Sequence, residues 1–179
     1  MEFISHDETR SSEIVALITA TFAASEGDAE GQLVGHLAAN ILATVPKEDL
    51  LAFMAVKADR VVGAILFTRI RYPEDTRRVF LLAPVAISTE HQGQGVGQEL
   101  LLHGRMHLRG ADVDVALTYG DINFYAKVGC TQSTEAQAKA PLPLQYPTGW
   151  LGQSLTGDLF APRKGPSRCA EALNDPAYW

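Results

Sequence analysis

One hexapeptide constrains the fold of this chain more than any other: Gln92-Gly93-Gln94-Gly95-Val96-Gly97. It stands between an apolar run with strand character, Val79 to Ser88, and a stretch with helical spacing from about Val96 to Arg109. Strand, glycine turn and helix start, in that order, gather several free backbone N–H groups around one point. Such a turn suits an anion, most often a phosphate. The glycine frame separates three phosphate-binding patterns. A P-loop requires a lysine after its last glycine, and none follows here. A dinucleotide fingerprint requires a glycine or alanine where Gln98 stands, counted from Gly93, or where Leu100 stands, counted from Gly95. Gln-x-x-Gly-x-Gly fits, through Gln92, Gly95 and Gly97.

Upstream of the turn, hydrophobic spacing predicts helices and then antiparallel strands. Phe3-Ile4 reads as a short first strand. Ile14, Leu17, Ile18 and Phe22 mark an amphipathic helix from Thr9 to Ala24, capped by Asp7 or Ser5. Leu33, Leu37, Ile41 and Leu42 mark a second from Ala29 to Leu42, with Gly27 before it and Pro46 after it. Leu50 to Lys57 and Arg60 to Tyr72 read as strands joined at Ala58-Asp59, a two-residue connection of the kind that joins antiparallel neighbours. Val79 to Ser88 is almost wholly apolar, as a strand covered on both faces would be. Pro84 inside it predicts a bulge or a splayed pairing near Ala83-Pro84-Val85.

Past the turn, Val96, Leu100, Leu101, Gly104 and Leu108 share one helix face. Gly104 would let that helix approach a sheet closely, and Gly110 is expected as its C′ residue. Val113 to Thr118 follows as a strand, then Asp121 to Val128 as a short helix capped by Asp121 and stopped at Gly129-Cys130. The remainder is rich in proline and glycine. Leu151 to Leu159 is its one strand-like stretch, and Ala170 to Trp179 reads as a terminal helix or an extended tail. The sum is a mixed α+β arrangement in one domain, residues 1–179, without repeats or an interdomain linker.

A chain of 179 residues buries enough surface to need no disulfide or metal staple, and Cys130 and Cys169 are too few to supply one. The net charge of −6 and the scattered basic residues argue against nucleic acid as a partner. The densest basic group, Arg69, Arg71, Arg77 and Arg78, flanks Tyr72-Pro73-Glu74-Asp75 and reads as a solvated hairpin tip, with a phosphate-facing role as the alternative. No apolar run approaches the roughly 20 residues that span a bilayer. Met1 to Glu8 lacks the basic region and apolar core of a signal peptide. A cytoplasmic, bacterial-type protein with no membrane partner is expected.

Val85-Ala86-Ile87-Ser88-Thr89-Glu90-His91-Gln92-Gly93-Gln94-Gly95-Val96-Gly97-Gln98-Glu99-Leu100-Leu101 resembles the central motif of the GNAT superfamily of N-acetyltransferases. Gly120-Asp121-Ile122-Asn123-Phe124-Tyr125-Ala126-Lys127-Val128-Gly129-Cys130 is similar to that superfamily's later helix, which commonly ends in Phe-Tyr-x-x-x-Gly-Phe. The Gly-Asp before it is typical of a widespread bacterial subgroup. The resemblance covers residues 1–130 and weakens over 131–179. It implies the GNAT fold, a central, mostly antiparallel, twisted sheet splayed near the fourth strand and flanked by helices.

It also implies acetyl-CoA as co-substrate, no metal, and transfer of the acetyl group to a primary amine, of a small molecule, by direct attack. Backbone groups of Val85, Ala86 and Ile87 would pair with the pantetheine arm. The turn of Gln92, Gly93, Gln94, Gly95, Val96 and Gly97 would cradle the pyrophosphate, with glycines where a Cβ would block close approach. Tyr125 falls at the position of the general acid that protonates the departing CoA thiolate. Asn123 matches a region that contacts the cofactor, and a helix cap is its other reading.

The general base stays open among Glu90, His91, Asp114, Tyr119 and Glu135. His103 and His107, four apart on the long helix, have no third metal ligand and read as boundary packing. Cys130 stands where the family has an aromatic and reads as a buried, inert thiol. The acceptor would be set by the two N-terminal helices, the Arg71–Arg77 loop and the proline-rich end. The acidic balance favours a cationic small amine. A monomer or homodimer is expected. Two other functions keep the glycine turn: a non-catalytic acyl-CoA-binding sensor or scaffold, with no need of Tyr125, and a protein N-acetyltransferase, which needs an open groove. A toxin acting on aminoacyl-tRNA would want a basic face that this composition does not offer.

Overall fold

The computed structural model describes residues 1–157 and 160–179. Its elements run β1 (Glu2–Ser5), α1 (Ser11–Glu26), α2 (Asp28–Thr44), β2 (Leu50–Lys57), β3 (Arg60–Ile70), β4 (Val79–Ile87), α3 (Val96–Gly110), β5 (Val115–Tyr119), α4 (Ile122–Tyr125), β6 (Thr131–Gln132) and β7 (Trp150–Ser154). The strands form one sheet in the order β1-β2-β3-β4-β5-β7-β6. β1 runs antiparallel to β2, and β7 antiparallel to both β5 and β6. β4 and β5 run parallel, with Val79 opposite Val115 and Leu82 opposite Thr118 as the last pair. β4 continues beyond that pair through Pro84 to Ile87, so the two strands part at the place the proline predicts. By contact the chain divides into two compact units, Met1–Phe67 with Pro84–Gly104 and Thr68–Ala83 with Arg105–Trp179.

In the first unit, Asp7 caps a short 3-10 turn ahead of α1 by accepting the Thr9 N–H. Gly27, at φ +99°, breaks α1 from α2. The two helices pack closely because α2 presents glycine to α1. A Cβ on Gly31 would lie 2.6 Å from the Ala23 Cβ, and one on Gly35 would overlap the Thr19 hydroxyl. Ile14, Ile18, Leu37 and Ile41 are buried, while Leu17, Phe22, Leu33 and Leu42 are half-buried at the margin of the same faces. Ala58 and Asp59 both hold positive φ, as the tight hairpin turn between β2 and β3 demands. The α3 face reads as expected: a Cβ on Gly104 would meet Ile65 at 2.8 Å and Phe67 at 2.9 Å.

The second unit corrects three expectations. Gly110 stays inside α3, and the left-handed C′ position falls to Asp112 at φ +54°. Val113 N–H reaches back to the Leu108 carbonyl at 3.1 Å to close the motif. Aspartate tolerates that conformation better than most residues, which let the helix run past its glycine. The arginine-rich hairpin tip is not a solvated loop. Asp75, with its side chain 4% exposed, ion-pairs with Arg77 and also accepts the backbone N–H groups of Arg77 and Lys164 at 3.0 and 3.1 Å. Arg77 donates onward to the Pro162 carbonyl at 2.6 Å, and Tyr72 to the Lys139 carbonyl at 2.8 Å.

The C-terminal residues are likewise neither a helix nor a tail. They form two 3-10 turns, Glu171–Leu173 and Pro176–Tyr178, that bring Trp179 to 6.1 Å from the Trp150 ring. Both indoles are buried and donate to carbonyls, Trp150 to Ala138 and Trp179 to Leu173. Of the expected strand Leu151 to Leu159, the structure forms Trp150–Ser154. Asp158 and Leu159 lie outside the described residues. The short β6 was not anticipated.

Candidate active site

The turn after β4 is built to expose backbone. Ser88 N–H still bonds to the Val62 carbonyl at 2.9 Å, a 3-10 turn follows at Thr89–His91, and α3 begins at Val96. Gly93 and Gly95 hold φ +71° and +82°, which side chains rarely adopt. Nothing lies within 4 Å of a Cβ built on either glycine. Their conformation favours glycine, and the space before them is open. The first α-helical bond runs from Glu99 N–H to the Gly95 carbonyl at 3.0 Å. The N–H groups of Val96, Gly97 and Gln98 therefore precede the ladder, at the positive end of a 15-residue helix.

The two glutamines of the turn serve its shape. Gln92 Nε2 donates to the Ile87 carbonyl at 2.9 Å, and Gln94 Nε2 to the Glu90 carbonyl at 2.7 Å. Each amide ties the turn back onto the segment before it. Ala86 and Ile87 are buried and Val85 half-buried in the last part of β4. In the same unit an open cleft of about 730 Å³ is lined by Glu13, Leu17, Lys57, Arg60, Ser88 and His91, among others. There His91 uses both ring nitrogens, one with Ser88 Oγ at 2.8 Å and the other with Lys57 Nζ at 3.3 Å.

Tyr125 is held by side-chain packing instead. Asp121 caps α4, accepting the Asn123 N–H at 2.9 Å and the Asn123 side-chain amide at 3.0 Å. Asn123 is exposed and engaged in that cap. One turn on, Tyr125 is 9% exposed, its ring edge-on to Phe124 at 5.0 Å between centroids. A Cβ on Gly120 would stand 2.8 Å from Tyr125 Cε2, so the glycine of the Gly-Asp pair makes room for the ring. Gly129, at φ +91°, turns the chain so that Cys130 N–H bonds to the Tyr125 carbonyl at 3.1 Å. Burial pushes the Tyr125 phenol up to about 12, opposed by a hydrogen bond from the Thr118 side chain. Burial likewise pushes the Cys130 thiol up to about 11, as expected of an inert thiol.

The Thr118 hydroxyl donates to the Leu82 carbonyl at 3.0 Å, a tie between the two parallel strands. The remaining base candidates divide. Asp114 accepts the Arg78 N–H at 2.6 Å, and the Tyr119 hydroxyl accepts the Tyr146 N–H at 2.6 Å, both ties that hold backbone. Glu90 and Glu135 are exposed. His103 packs edge-on to Phe53 at 5.4 Å, the boundary role its position suggested. Among the described residues, no group of three or more His, Cys, Asp or Glu is placed to hold a metal, and no helix is long and apolar enough to cross a membrane.

Comparison with known proteins bears on the family and the fold. Residues 12–130 match the acetyltransferase (GNAT) family, a span that includes the glycine turn and the Tyr125 segment. The chain is 31% identical over 140 residues to the uncharacterized N-acetyltransferase YjhQ of Escherichia coli (strain K12), covering 75% of this chain and 77% of that protein. Its fold is similar to that of the GNAT family N-acetyltransferase YhbS from Escherichia coli, solved in complex with CoA. That likeness has a TM-score of 0.79 and 20% identity over 97% of this chain and 92% of the other. A GNAT family acetyltransferase from Brucella melitensis, in complex with acetyl-CoA, is similar with a TM-score of 0.69 and 20% identity over 97% of each chain. On the family match and the identity to YjhQ, the chain belongs to the GNAT family of acetyltransferases.

Proposed function

We propose that this chain, acting as one domain over residues 1–179, transfers an acetyl group from acetyl-CoA to a primary amine of a small molecule. The observation that carries the reading is the exposed stretch Gln92–Gly95 at a helix start, with open space before Gly93 and Gly95 and the turn's own glutamine side chains engaged elsewhere. The CoA and acetyl-CoA complexes of YhbS and the Brucella protein, which share the fold, support the same ligand. Bound acetyl-CoA supplies an activated thioester, at which an N–C bond forms as the C–S bond breaks.

The chain's part is to hold and to donate. Backbone N–H groups of the turn take the pyrophosphate, and the backbone of Val85, Ala86 and Ile87 takes the pantetheine arm. Tyr125 hydrogen-bonds the departing sulfur. With its phenol near 12, Tyr125 stays protonated at any physiological pH and is always a donor. A thiol titrates near about 8.5, so moving the proton fully from phenol to thiolate is uphill by on the order of 5 kcal/mol. The donation therefore acts chiefly as a hydrogen bond while charge builds on sulfur. Asn123 stays with the helix cap. The net charge of −6 favours a cationic amine as acceptor.

Calorimetry with acetyl-CoA, followed by thiol release across a panel of primary amines, tests the proposal. Wild type is expected to bind and to turn over at least one amine. Tyr125→Phe is expected to bind equally but to turn over about a hundredfold more slowly. Absence of acetyl-CoA binding would overturn the whole reading, and an undiminished rate in Tyr125→Phe would remove the role of the phenol.

A further inference from the structure

Arg163 is buried with part of its hydrogen-bonding capacity unmet. The residue is 8% exposed, and its Nε and Nη2 both donate to the Ala161 carbonyl, the first at 3.1 Å. Its guanidinium carbon stands 5.6 Å from the centre of the Phe160 ring. Nη1 is buried without a partner among the described residues. The nearby carboxylate that could pair with it is taken. Asp75 Oδ1 accepts the Arg77 N–H at 3.0 Å and Arg77 Nε at 2.7 Å. Asp75 Oδ2 accepts Arg77 Nη2 and, at 3.1 Å, the Lys164 N–H. A carboxylate has about four acceptor positions, so Asp75 is full. Burial and then the neighbouring Arg77 charge lower the Arg163 pKa, as befits a buried cation short of a partner.

The donors left over form a fork. The edge made by Nε and Nη2 is occupied by the Ala161 carbonyl. On the end edge, one N–H of Nη1 runs parallel to one of Nη2, a spacing that fits the two oxygens of a planar carboxylate. We propose that the end edge of Arg163 is a binding site for a small carboxylate, at the place where the C-terminal segment meets the β3–β4 connection. A carboxylate brings one negative charge, matching the one guanidinium that Asp75 leaves unpaired. A phosphate monoester brings more charge and a third oxygen, for which this fork has no donor. The fold does not call for the guanidinium. The Arg163 backbone N–H anchors the segment on the Gln137 carbonyl at 2.6 Å, and the Ala161 carbonyl would keep Arg77 Nη1 at 3.4 Å. Nothing in the run Pro162-Arg163-Lys164 sets this arginine apart in the sequence.

The test follows the thermal midpoint of wild type, Arg163→Lys and Arg163→Met as sodium acetate replaces sodium chloride at constant ionic strength, or as acetamide is added. Acetate is expected to raise the wild-type midpoint saturably, with half-saturation at or below about 10 mM, as two charge-assisted bonds in a buried site allow. Acetamide, of the same shape but uncharged, should not. Arg163→Lys keeps the charge without the fork and should lose the response, as should Arg163→Met. In chloride alone Arg163→Met should fold with a midpoint at or above that of wild type, because it removes a buried cation held for a ligand. No acetate response in wild type, an equal response to acetamide, or a response that persists in Arg163→Lys would overturn the proposal. So would an unfolded Arg163→Met, since a guanidinium that the fold requires is not one kept for a ligand. These measurements need neither acetyl-CoA nor turnover, so they succeed or fail apart from the proposed acetyl transfer. Turnover of β-alanine against propylamine then separates two sources of the carboxylate. If it belongs to the acceptor, wild type should favour β-alanine about tenfold or more in kcat/KM and Arg163→Lys should not. If it belongs to a separate ligand, the acetate response stands and the preference between the two amines is the same in both proteins.

Discussion

The turn at Gln92–Gly97 and the segment Gly120–Cys130 are both marked by glycines, yet they are made of opposite material. The turn exposes its backbone over Gln92–Gly95. Gly93 and Gly95 carry positive φ with open space before them, and the glutamine amides bind carbonyls of the segment before the turn. The Tyr125 segment is packed side chain. Its glycine at 120 lies under the tyrosine ring, its aspartate closes the helix, and its tyrosine is 9% exposed. A cradle of backbone gives a charged ligand many N–H groups without a titrating side chain. A buried phenol gives one donor that ordinary pH cannot remove. The two regions should therefore fail in different ways when disturbed.

Alkali separates them most strongly. The Tyr125 phenol sits near 12 in the folded chain, above its ordinary value near 10, because burial disfavours the phenolate. A folded value above the unfolded one gives stability that is complete below the ordinary value and is lost as pH rises through the folded one. Chemical denaturation should show stability falling by about 3 kcal/mol between pH 10 and 12 on account of Tyr125. Tyr125→Phe should remove that part of the fall, and an equally steep fall in the variant would contradict the buried phenol.

Gly95→Val attacks the other region. A β-branched residue at φ +82° is strained, and its side chain enters the cradle. The acetyl-CoA Kd should rise about thirtyfold, equivalent to roughly 2 kcal/mol, and the thermal midpoint should fall because the strained turn costs folded-state stability. Gly120→Ala should do the reverse and with a smaller effect. The tyrosine ring must shift from a Cβ placed 2.8 Å away, so kcat should fall about tenfold while the acetyl-CoA Kd holds. If Gly120→Ala weakened binding and Gly95→Val slowed turnover without affecting it, the contrast between the regions would be reversed.

What the chain's residues disclose in advance follows the range of the interactions. Glycine punctuation and hydrophobic spacing are local, so the hairpin at Ala58-Asp59, the close approach at Gly104, the cap at Asp121 and the parting of β4 at Pro84 could all be read. Gly110 misled because Asp112 can also take the left-handed position, and the choice depends on what the following residues bond to. The Asp75–Arg77 pair is tied to Pro162, 85 residues beyond Arg77, and nothing in the composition of a hairpin tip reveals such a partner. The same holds for Trp179 against Trp150. Gly120 and Gly93 look alike in the sequence. Only the structure separates a glycine that yields space to a neighbouring ring from one that leaves space open.

The central claim, that backbone at Gly93–Gly97 holds the pyrophosphate of the acyl donor, is tested most directly by titrating the protein calorimetrically with acetyl-CoA and with S-acetylpantetheine. The second carries the same thioester and arm but no pyrophosphate. The account predicts that acetyl-CoA binds at least about tenfold more tightly to wild type, as expected for several N–H groups meeting an anion at a helix start, and that Gly95→Val erases the difference. Equal affinity for the two ligands in wild type would contradict it.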